Sequence, residues 1–177
     1  MTKAEHADLI ARARAAAQRA LGLPIASLPP PAGAAIEPGA AFVTWKRAGR
    51  LRGCIGSVEP YRPLAEDVES NAVAALLHDP RFPPATAKDY PQLSVEISVL
   101  TPREPIAGPD DLTIGRHGVW VDHGRRRAIL LPQVAPEWGW NAQELLTQVC
   151  LKAGLPGDAW TTGKGIYRFE AEVFGEE

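Results

Sequence analysis

The stretch Leu93-Ser-Val-Glu-Ile-Ser-Val-Leu100 alternates apolar and polar side chains along most of its length. Successive side chains of a β-strand point to opposite sides, so Leu93, Val95, Ile97 and Val99 are expected to share one face. The opposite face would then carry Ser94, Glu96, Ser98 and Leu100. The pattern predicts a strand that packs one face against a core and presents polar groups on the other.

Segments before this strand predict a β-hairpin and a helix. Residues 41–46 and 51–58 are rich in strand formers and flank a short turn. Residues 63–79 begin with a proline that suits the first helical position and then repeat apolar residues at helical spacing. Residues 80–91 are rich in proline, so we interpret them as a loop that leads from this helix to the alternating strand.

The N-terminal segment predicts a helix followed by a connector. Thr2 and Glu5 have the spacing of a capping box, and apolar residues recur at helical spacing up to Leu21. The arginines in this segment also suit a targeting peptide, but such peptides are poor in acid, and Glu5 and Asp8 lie in the first turns. We therefore interpret it as a structural helix. Residues 23–39 are rich in proline and are interpreted as an extended connector.

The C-terminal half predicts a second hairpin, a helix and a last strand. Residues 119–131 contain two strand-forming runs around a glycine turn. Asn141 opens a second capping box and a helix, and residues 166–174 form one final strand. The order of elements predicts an α+β fold, with a mostly antiparallel sheet flanked by helices. Residues 1–177 are interpreted as a single domain.

The bulk composition excludes several classes of protein. The chain has 177 residues, 45% of them apolar, and a net charge of −2, which gives no general attraction to nucleic acid or anionic membranes. No apolar run approaches the roughly 20 residues of a membrane span. The two cysteines are expected to be thiols in a reducing compartment, the cytoplasm. The spacings typical of zinc sites and the glycine motifs of nucleotide cofactors are missing, so we expect neither metal nor cofactor.

Cys54 is the most informative reactive residue, because it lies in the segment Arg52-Gly53-Cys54-Ile55-Gly56. Glycines let a ligand approach the main chain, and the amides of such a bend can bind an anion. The neighbouring guanidinium would lower the pKa of the thiol and favour a nucleophilic thiolate. The structural alternative is a small core residue on a strand, which is a common fate of free cysteine.

Glu96 and His117 are the candidates for an acid or base. Glu96 lies in the middle of the alternating strand, on its polar face with Ser98. That face is either solvent or a cleft, and in a cleft Glu96 would transfer protons or orient a substrate. His117 enters a strand between glycines. Arg81 is expected to pair with Asp79 and to fix the loop that follows.

Several ordered blocks together resemble the AMMECR domain family, over about residues 5–175. The blocks are Phe42-Val43-Thr44 with Leu51 to Gly56, Asp79 to Pro84, Leu93 to Leu100, Gly115 to Gly118, Leu130 to Ala135, Trp140-Asn141, and Cys150 to Leu155. The resemblance implies an α+β fold of two unequal subdomains with a cleft. It marks the segment from Arg52 to Gly56, with Glu96 and His117, as site residues. It also implies association with a radical-SAM protein and a Memo-like protein, without an accepted reaction.

Two functions follow from these observations. In the first, the chain is an accessory or binding module, and residues around Cys54 recognise a partner protein or a small-molecule ligand. In the second, it is an enzyme that uses Cys54 as nucleophile, with Glu96 or His117 as acid or base, on a small carbonyl or anionic substrate. Arg52, Gly53, Ile55, Gly56, Ser98 and Arg81 are expected to line the ligand site in either case.

Overall fold

A computed structural model describes residues 1–176 and divides them into two compact units. The first unit comprises residues 1–99 and the end of the chain from Val173, and the second comprises Leu100–Glu172. Among the described residues, no helix is both long and apolar enough to cross a membrane. The predicted α+β class is confirmed, because four helices accompany two four-stranded sheets.

The regular elements follow one another along the chain as helices and strands, joined by turns and short 3-10 helices. In chain order they are α1 (Lys3–Ala20), β1 (Ala41–Arg47), β2 (Arg50–Gly56), α2 (Leu64–Leu77), β3 (Leu93–Leu100), β4 (Glu104–Pro105), β5 (Gly118–His123), β6 (Arg126–Leu130), α3 (Val134–Trp138), α4 (Ala142–Lys152), β7 (Ile166–Phe169) and β8 (Ala171–Gly175). The first sheet has the strand order β2-β1-β3-β8, and the second has the order β4-β7-β5-β6.

Several local predictions are confirmed. The capping boxes at Thr2 and Asn141 both form, with the side chain of the cap and that of the glutamate three residues later each bonded to backbone N–H. The strand predicted at Leu93–Leu100 has those bounds, and both predicted hairpins are present as β1–β2 and β5–β6. These features have local causes, so the sequence reveals them without knowledge of the rest of the fold.

The prediction of one final strand over residues 166–174 is wrong. The run is divided at Glu170, so that β7 joins the second sheet and β8 joins the first. The backbone N–H of Glu170 donates to the hydroxyl of Thr101, and its carbonyl accepts from the N–H of Thr101. The short helix α3 was also not predicted, because five residues are too few to display a helical period.

Two helices cover one face of the first sheet. Val43, Trp45, Val95 and Ile97 point to this face and are almost fully buried with apolar residues of α1 and α2. The indole N–H of Trp45 donates to the carbonyl of Ala72 at 2.9 Å, so this large side chain also satisfies its polar atom inside the core. The alternate residues of β1 and β3 are thereby turned away from the core.

The second unit has its own core, in which α4 packs on the second sheet. Its members are buried apolar side chains of α4 and the strands, including Leu145, Leu146, Val119, Val121 and Cys150. Cys150 is fully buried. It therefore behaves as a small apolar core residue rather than as an accessible thiol.

Gly53 allows β2 to lie against the end of α2. A Cβ atom at this position would come within 2.0 Å of the carbonyl oxygen of Ala75, which is backbone and cannot rotate away. A residue other than glycine would therefore force β2 away from the helix. The close contact fixes the strand that carries Cys54.

We expect Gly53→Ala to lower the free energy of unfolding by about 1–3 kcal/mol or more, as overpacking in a well-packed site does. Urea unfolding followed by far-UV circular dichroism measures the change. Gly108→Ala is the control, because a Cβ there meets no atom within 4 Å. Equal stability of the two variants would contradict the proposed packing role of Gly53.

Candidate functional site

Three neighbouring strands bring Cys54, Thr44 and Glu96 into one row across the first sheet. Thr44 of β1 lies opposite Cys54 of β2 on one side and opposite Glu96 of β3 on the other. Residues directly opposite each other in antiparallel strands share a face. The row therefore lies on the face turned away from the core, and we call Thr44, Lys46, Cys54 and Glu96 the thiol face.

Cys54 lies in a regular strand, and its thiol and its backbone N–H each have a partner within the first unit. The hydroxyl of Thr44 donates to Sγ at 3.1 Å, and the backbone N–H of Cys54 donates to the carboxylate of Asp79 at 3.0 Å. The expected bend with amides free to bind an anion is therefore wrong. The amide of Cys54 is already occupied by an anion that the chain itself supplies.

The thiol of Cys54 is held in its neutral form. Burial raises its pKa, while the hydrogen bond from Thr44 and the charge of Arg81 oppose that rise without reversing it. The expectation that the adjacent guanidinium of Arg52 would lower the pKa of Cys54 is therefore wrong, because the net shift of this pKa is upward. At neutral pH the thiolate, which is the nucleophilic form, is the minor species.

Arg52 contacts the loop that follows α2. Its Nη2 donates to the carbonyl of Pro83 at 2.7 Å, and its guanidinium lies 5.7 Å from the ring centre of Phe82. It sits at an irregularity in the β1–β2 register, between the pairs Trp45–Gly53 and Lys46–Leu51. Its observed contacts hold the loop after α2 against β2.

Glu96 forms an ion pair with Lys46 on the thiol face. The Nζ of Lys46 and the carboxylate of Glu96 are 2.8 Å apart, and each side chain is 34% exposed. Ser98, two residues further along β3, is 4% exposed. Gly175 of β8 lies close to Glu96. A Cβ atom at position 175 would lie 3.3 Å from the Cβ atom of Glu96, so the glycine leaves room for that side chain.

Ile55 and Gly56 have packing contacts in the structure. Ile55 is partly buried against the core of the first unit, on the face opposite Cys54. A Cβ on Gly56 would lie 2.2 Å from the ring of Phe42, which covers this glycine on the same side as Cys54. The aromatic ring therefore closes one end of the thiol face.

The predicted pair of Asp79 and Arg81 is confirmed. Nε and Nη2 of Arg81 donate to the two carboxylate oxygens of Asp79 at 3.0 and 2.8 Å. The side chain of Asp79 is 2% exposed, whereas that of Arg81 is 55% exposed. The hydrogen bonds from Arg81, with one from the amide of Cys54, keep the pKa of Asp79 far below its usual range despite burial.

His117 belongs to the second unit and is nearly buried. The backbone N–H of Thr113 donates to Nδ1 at 2.9 Å, which leaves the proton of the neutral ring on Nε2. Burial lowers the pKa of His117, and the charges of Arg168 and Arg116 lower it further. A neutral imidazole with Nδ1 occupied is the form that these contacts favour.

Comparison with known proteins identifies the family. The AMMECR1 family model matches residues 8–174. The chain belongs to the AMMECR1 family.

Relatives within the AMMECR1 family are similar over most of this chain. A protein of Methanothermobacter thermautotrophicus is 45% identical over 143 residues, which are 77% of this chain and 74% of that protein. A protein of Thermococcus gammatolerans is 48% identical over 133 residues, 72% of this chain and 65% of that protein. The matched segment thus spans 74% of the first relative and just under two thirds of the second.

A solved structure has the same fold. The crystal structure of an uncharacterized protein from Pyrococcus horikoshii matches with a TM-score of 0.87 and 38% sequence identity. The match covers 100% of this chain and 94% of that one. The α+β architecture described above is therefore that of an AMMECR1-family protein.

Thr44 and Lys46 are not among the site residues predicted from the sequence. Both become neighbours of Cys54 and Glu96 only through the register of β1, which pairs with a strand on each side. The alternation of β1 was visible, since Phe42, Thr44 and Lys46 interleave with buried residues. The alternating patterns of β1 and β3, placed side by side as antiparallel partners, put Thr44 and Lys46 on the face that carries Glu96.

The buried carboxylate of Asp79 predicts a dependence of stability on pH in this AMMECR1-family chain. Because its pKa is lowered by folding, the stabilisation is complete above the unfolded pKa of about 3.9 and declines as the pH falls below it. We expect Asp79→Asn to lose about 1.5–3 kcal/mol at neutral pH, the range for a hydrogen bond to a charged group. The difference from wild type should shrink in acid.

Urea unfolding between neutral pH and the acid range measures this difference. Asp110→Asn is the control, because Asp110 is exposed and its loss should change stability by no more than about 0.5 kcal/mol. A stability difference between wild type and Asp79→Asn that stays constant down to pH values well below the unfolded pKa would contradict the assignment.

Proposed function

We propose that this chain is an accessory binding module whose thiol face recognises a partner. The face offers one hydroxyl, one neutral thiol and one ion pair, all on regular strands of a packed sheet. Rigid strands hold such groups in place before a partner arrives, which lowers the entropy cost of binding. The arrangement suits recognition through hydrogen bonds and charge more than the generation of a strong nucleophile.

The observation that carries this proposal is the environment of the Cys54 sulfur. Its hydrogen-bond partner is the hydroxyl of Thr44, which donates to the sulfur. A hydroxyl is too weak a base to remove the proton from a thiol at neutral pH. The carboxylate of the same face, Glu96, already binds Lys46. A nucleophilic cysteine requires a base or a lowered pKa, and burial instead raises the pKa of Cys54.

The partners we propose are a radical-SAM protein and a Memo-like protein, as in the AmmeMemoRadiSam system, whose protein A this chain resembles. Family membership supports the proposal, and so does the presence of two free cysteines, which suits a reducing compartment. We propose the cytoplasm as that compartment. A small ligand held between the chain and its partner is compatible with the same face.

The competing function is an enzyme with Cys54 as nucleophile and Glu96 or His117 as acid or base. The charge of Arg81 lies close enough to lower the pKa of Cys54 in part. A shift of the Arg81 side chain toward the sulfur on substrate binding would strengthen this effect. The reactivity of the thiol separates the two functions.

We expect Cys54 to react with iodoacetamide more slowly at pH 7 than N-acetylcysteine does. The thiol is partly buried and its pKa is raised, so the rate should climb by about tenfold per pH unit until the thiol titrates. Peptide mass spectrometry of quenched samples measures the rate at each cysteine. Cys150 serves as the internal control, because it is fully buried in the folded protein.

A rate at Cys54 that exceeds that of N-acetylcysteine at pH 7 would support the enzyme and refute the binding module as we describe it. The variant Cys54→Ser confirms which peptide carries the label. The same variant should retain partner binding, because a hydroxyl keeps the size and hydrogen-bonding capacity of the thiol.

We expect the double variant Lys46→Glu with Glu96→Lys to weaken binding of the purified radical-SAM or Memo-like protein of the same organism by about tenfold or more. The swap keeps the ion pair and the net charge but reverses the direction of its field, and mismatched charge at an interface costs several kcal/mol. Biolayer interferometry with the immobilised chain measures the change.

The matched control is Lys3→Glu with Glu66→Lys, which swaps the same charges on helices away from the thiol face. Unchanged binding of this control with weakened binding of the thiol-face variant supports the proposal. Wild-type binding to neither protein, or equal binding by both variants, would contradict it.

A further inference from the structure

A group of positive charges lies at one corner of the second unit. Arg125 and Arg126 belong to the β5–β6 hairpin, Lys152 ends α4, and Lys164 precedes β7. All four are exposed. We call these four residues the basic corner.

Hydrogen bonds between the elements bring the basic corner together. Nη1 of Arg126 donates to the carbonyl of Gly154 just after α4, at 2.6 Å. Nζ of Lys152 donates to the carbonyl of Ile129 on β6, at 2.9 Å. On the other side of the hairpin, Nε2 of His123 lies 3.0 Å from the carbonyl of Lys164. The hairpin is thus flanked by both lysine-bearing segments.

In the described part of the chain, the basic corner is not paired with carboxylates, and the one in its hairpin, Asp122, pairs with Arg103 and accepts from the N–H of Gly124. Arg126 and Lys152 donate to backbone carbonyls, which carry no net charge. Within residues 1–176, none of the four forms an ion pair with a carboxylate. Each side chain therefore keeps its full charge and most of its N–H donors for a ligand.

From this arrangement we propose that the basic corner binds an acidic segment of a partner protein. The carbonyl contacts of Arg126 and Lys152 fix these flexible side chains in advance, which reduces the entropy lost on binding. Four charges at one corner also steer an acidic partner toward it. This surface is distinct from the thiol face and the inference does not depend on it.

The mode of docking follows from the edge of the sheet. β6 is an edge strand, and edge strands commonly recruit a further strand from a partner. Here Lys152 already occupies the carbonyl of Ile129 on that strand. This contact interrupts the free edge of β6, so docking in our proposal is through carboxylates of the partner on the side chains of the basic corner.

Charge distribution favours an acidic peptide over nucleic acid. The whole chain has a net charge of −2 and so has no general attraction to the long run of phosphates that nucleic acids present. A short acidic segment needs only the corner itself. The salt dependence and the choice between probes distinguish the two classes of partner.

Fluorescence anisotropy with fluorescein-labelled decaglutamate tests the proposal on the full chain. We expect binding at about 0.02 M salt that weakens strongly by about 0.3 M, where the screening length is much shorter. Arg125→Glu with Lys164→Glu should weaken it by about tenfold or more, because both charges are reversed. The variant Arg125→Gln with Lys164→Gln removes the charges without reversing them, so its loss of affinity for decaglutamate should be smaller. This variant keeps the test valid if the charge-reversed variant does not fold.

The matched control is Lys3→Glu with Lys88→Glu, which changes the net charge by the same amount in the first unit. Binding by the control at the wild-type level supports the assignment. Equal weakening in both charge-reversed variants, or no wild-type binding at low salt, overturns it. Tighter binding of a single-stranded or duplex oligonucleotide than of decaglutamate overturns the choice of an acidic peptide. These variants leave Cys54 and Glu96 unchanged, so the result for the basic corner is independent of whether the thiol face binds a partner.

Discussion

The alternation of side chains along β1 is the constraint on which the first unit depends. β1 pairs with a strand on each edge, so every second residue has two neighbours on the same face. Val43 and Trp45 direct their side of the sheet into the core under α1 and α2. The residues between them must then face the other way, and Thr44 falls between Cys54 and Glu96. The composition of the thiol face is a consequence of how the core is packed.

A buried carboxylate then fixes the edge of this sheet. Asp79 accepts from the amide of Cys54 and binds the guanidinium of Arg81, so one side chain joins the outer strand to the loop after α2. Gly53 contributes by letting that strand approach the helix backbone. Burying a carboxylate is costly unless its oxygens accept hydrogen bonds, and here the half-exposed Arg81 and the strand amide supply them. The same contact removes an anion-binding amide from the surroundings of the thiol.

The sequence was most informative where structure has local causes. Capping boxes, hairpins and the alternation of β3 depend on neighbours a few residues apart, and these were predicted with nearly the observed bounds. The contact of Asp79 with the Cys54 amide joins residues far apart in sequence, so no local pattern indicated it. The division at Glu170 was missed for a related reason. Residues on both sides of it favour strands, and only pairing with different sheets separates them. The raised pKa of Cys54 likewise reflects burial, which the adjacent arginine in the sequence did not reveal.

The last strand of the first unit comes from the end of the chain, after the whole second unit. β8 lies beside β3, and Glu176 accepts from the Arg14 guanidinium and from the amide of Val95. During synthesis on the ribosome, the first sheet therefore lacks an edge until these residues emerge. The second unit, whose contacts are contiguous in sequence, can reach its native state earlier. We expect closure of the first unit to be a late, long-range step, with the edge of β3 open to strand pairing with other chains until then.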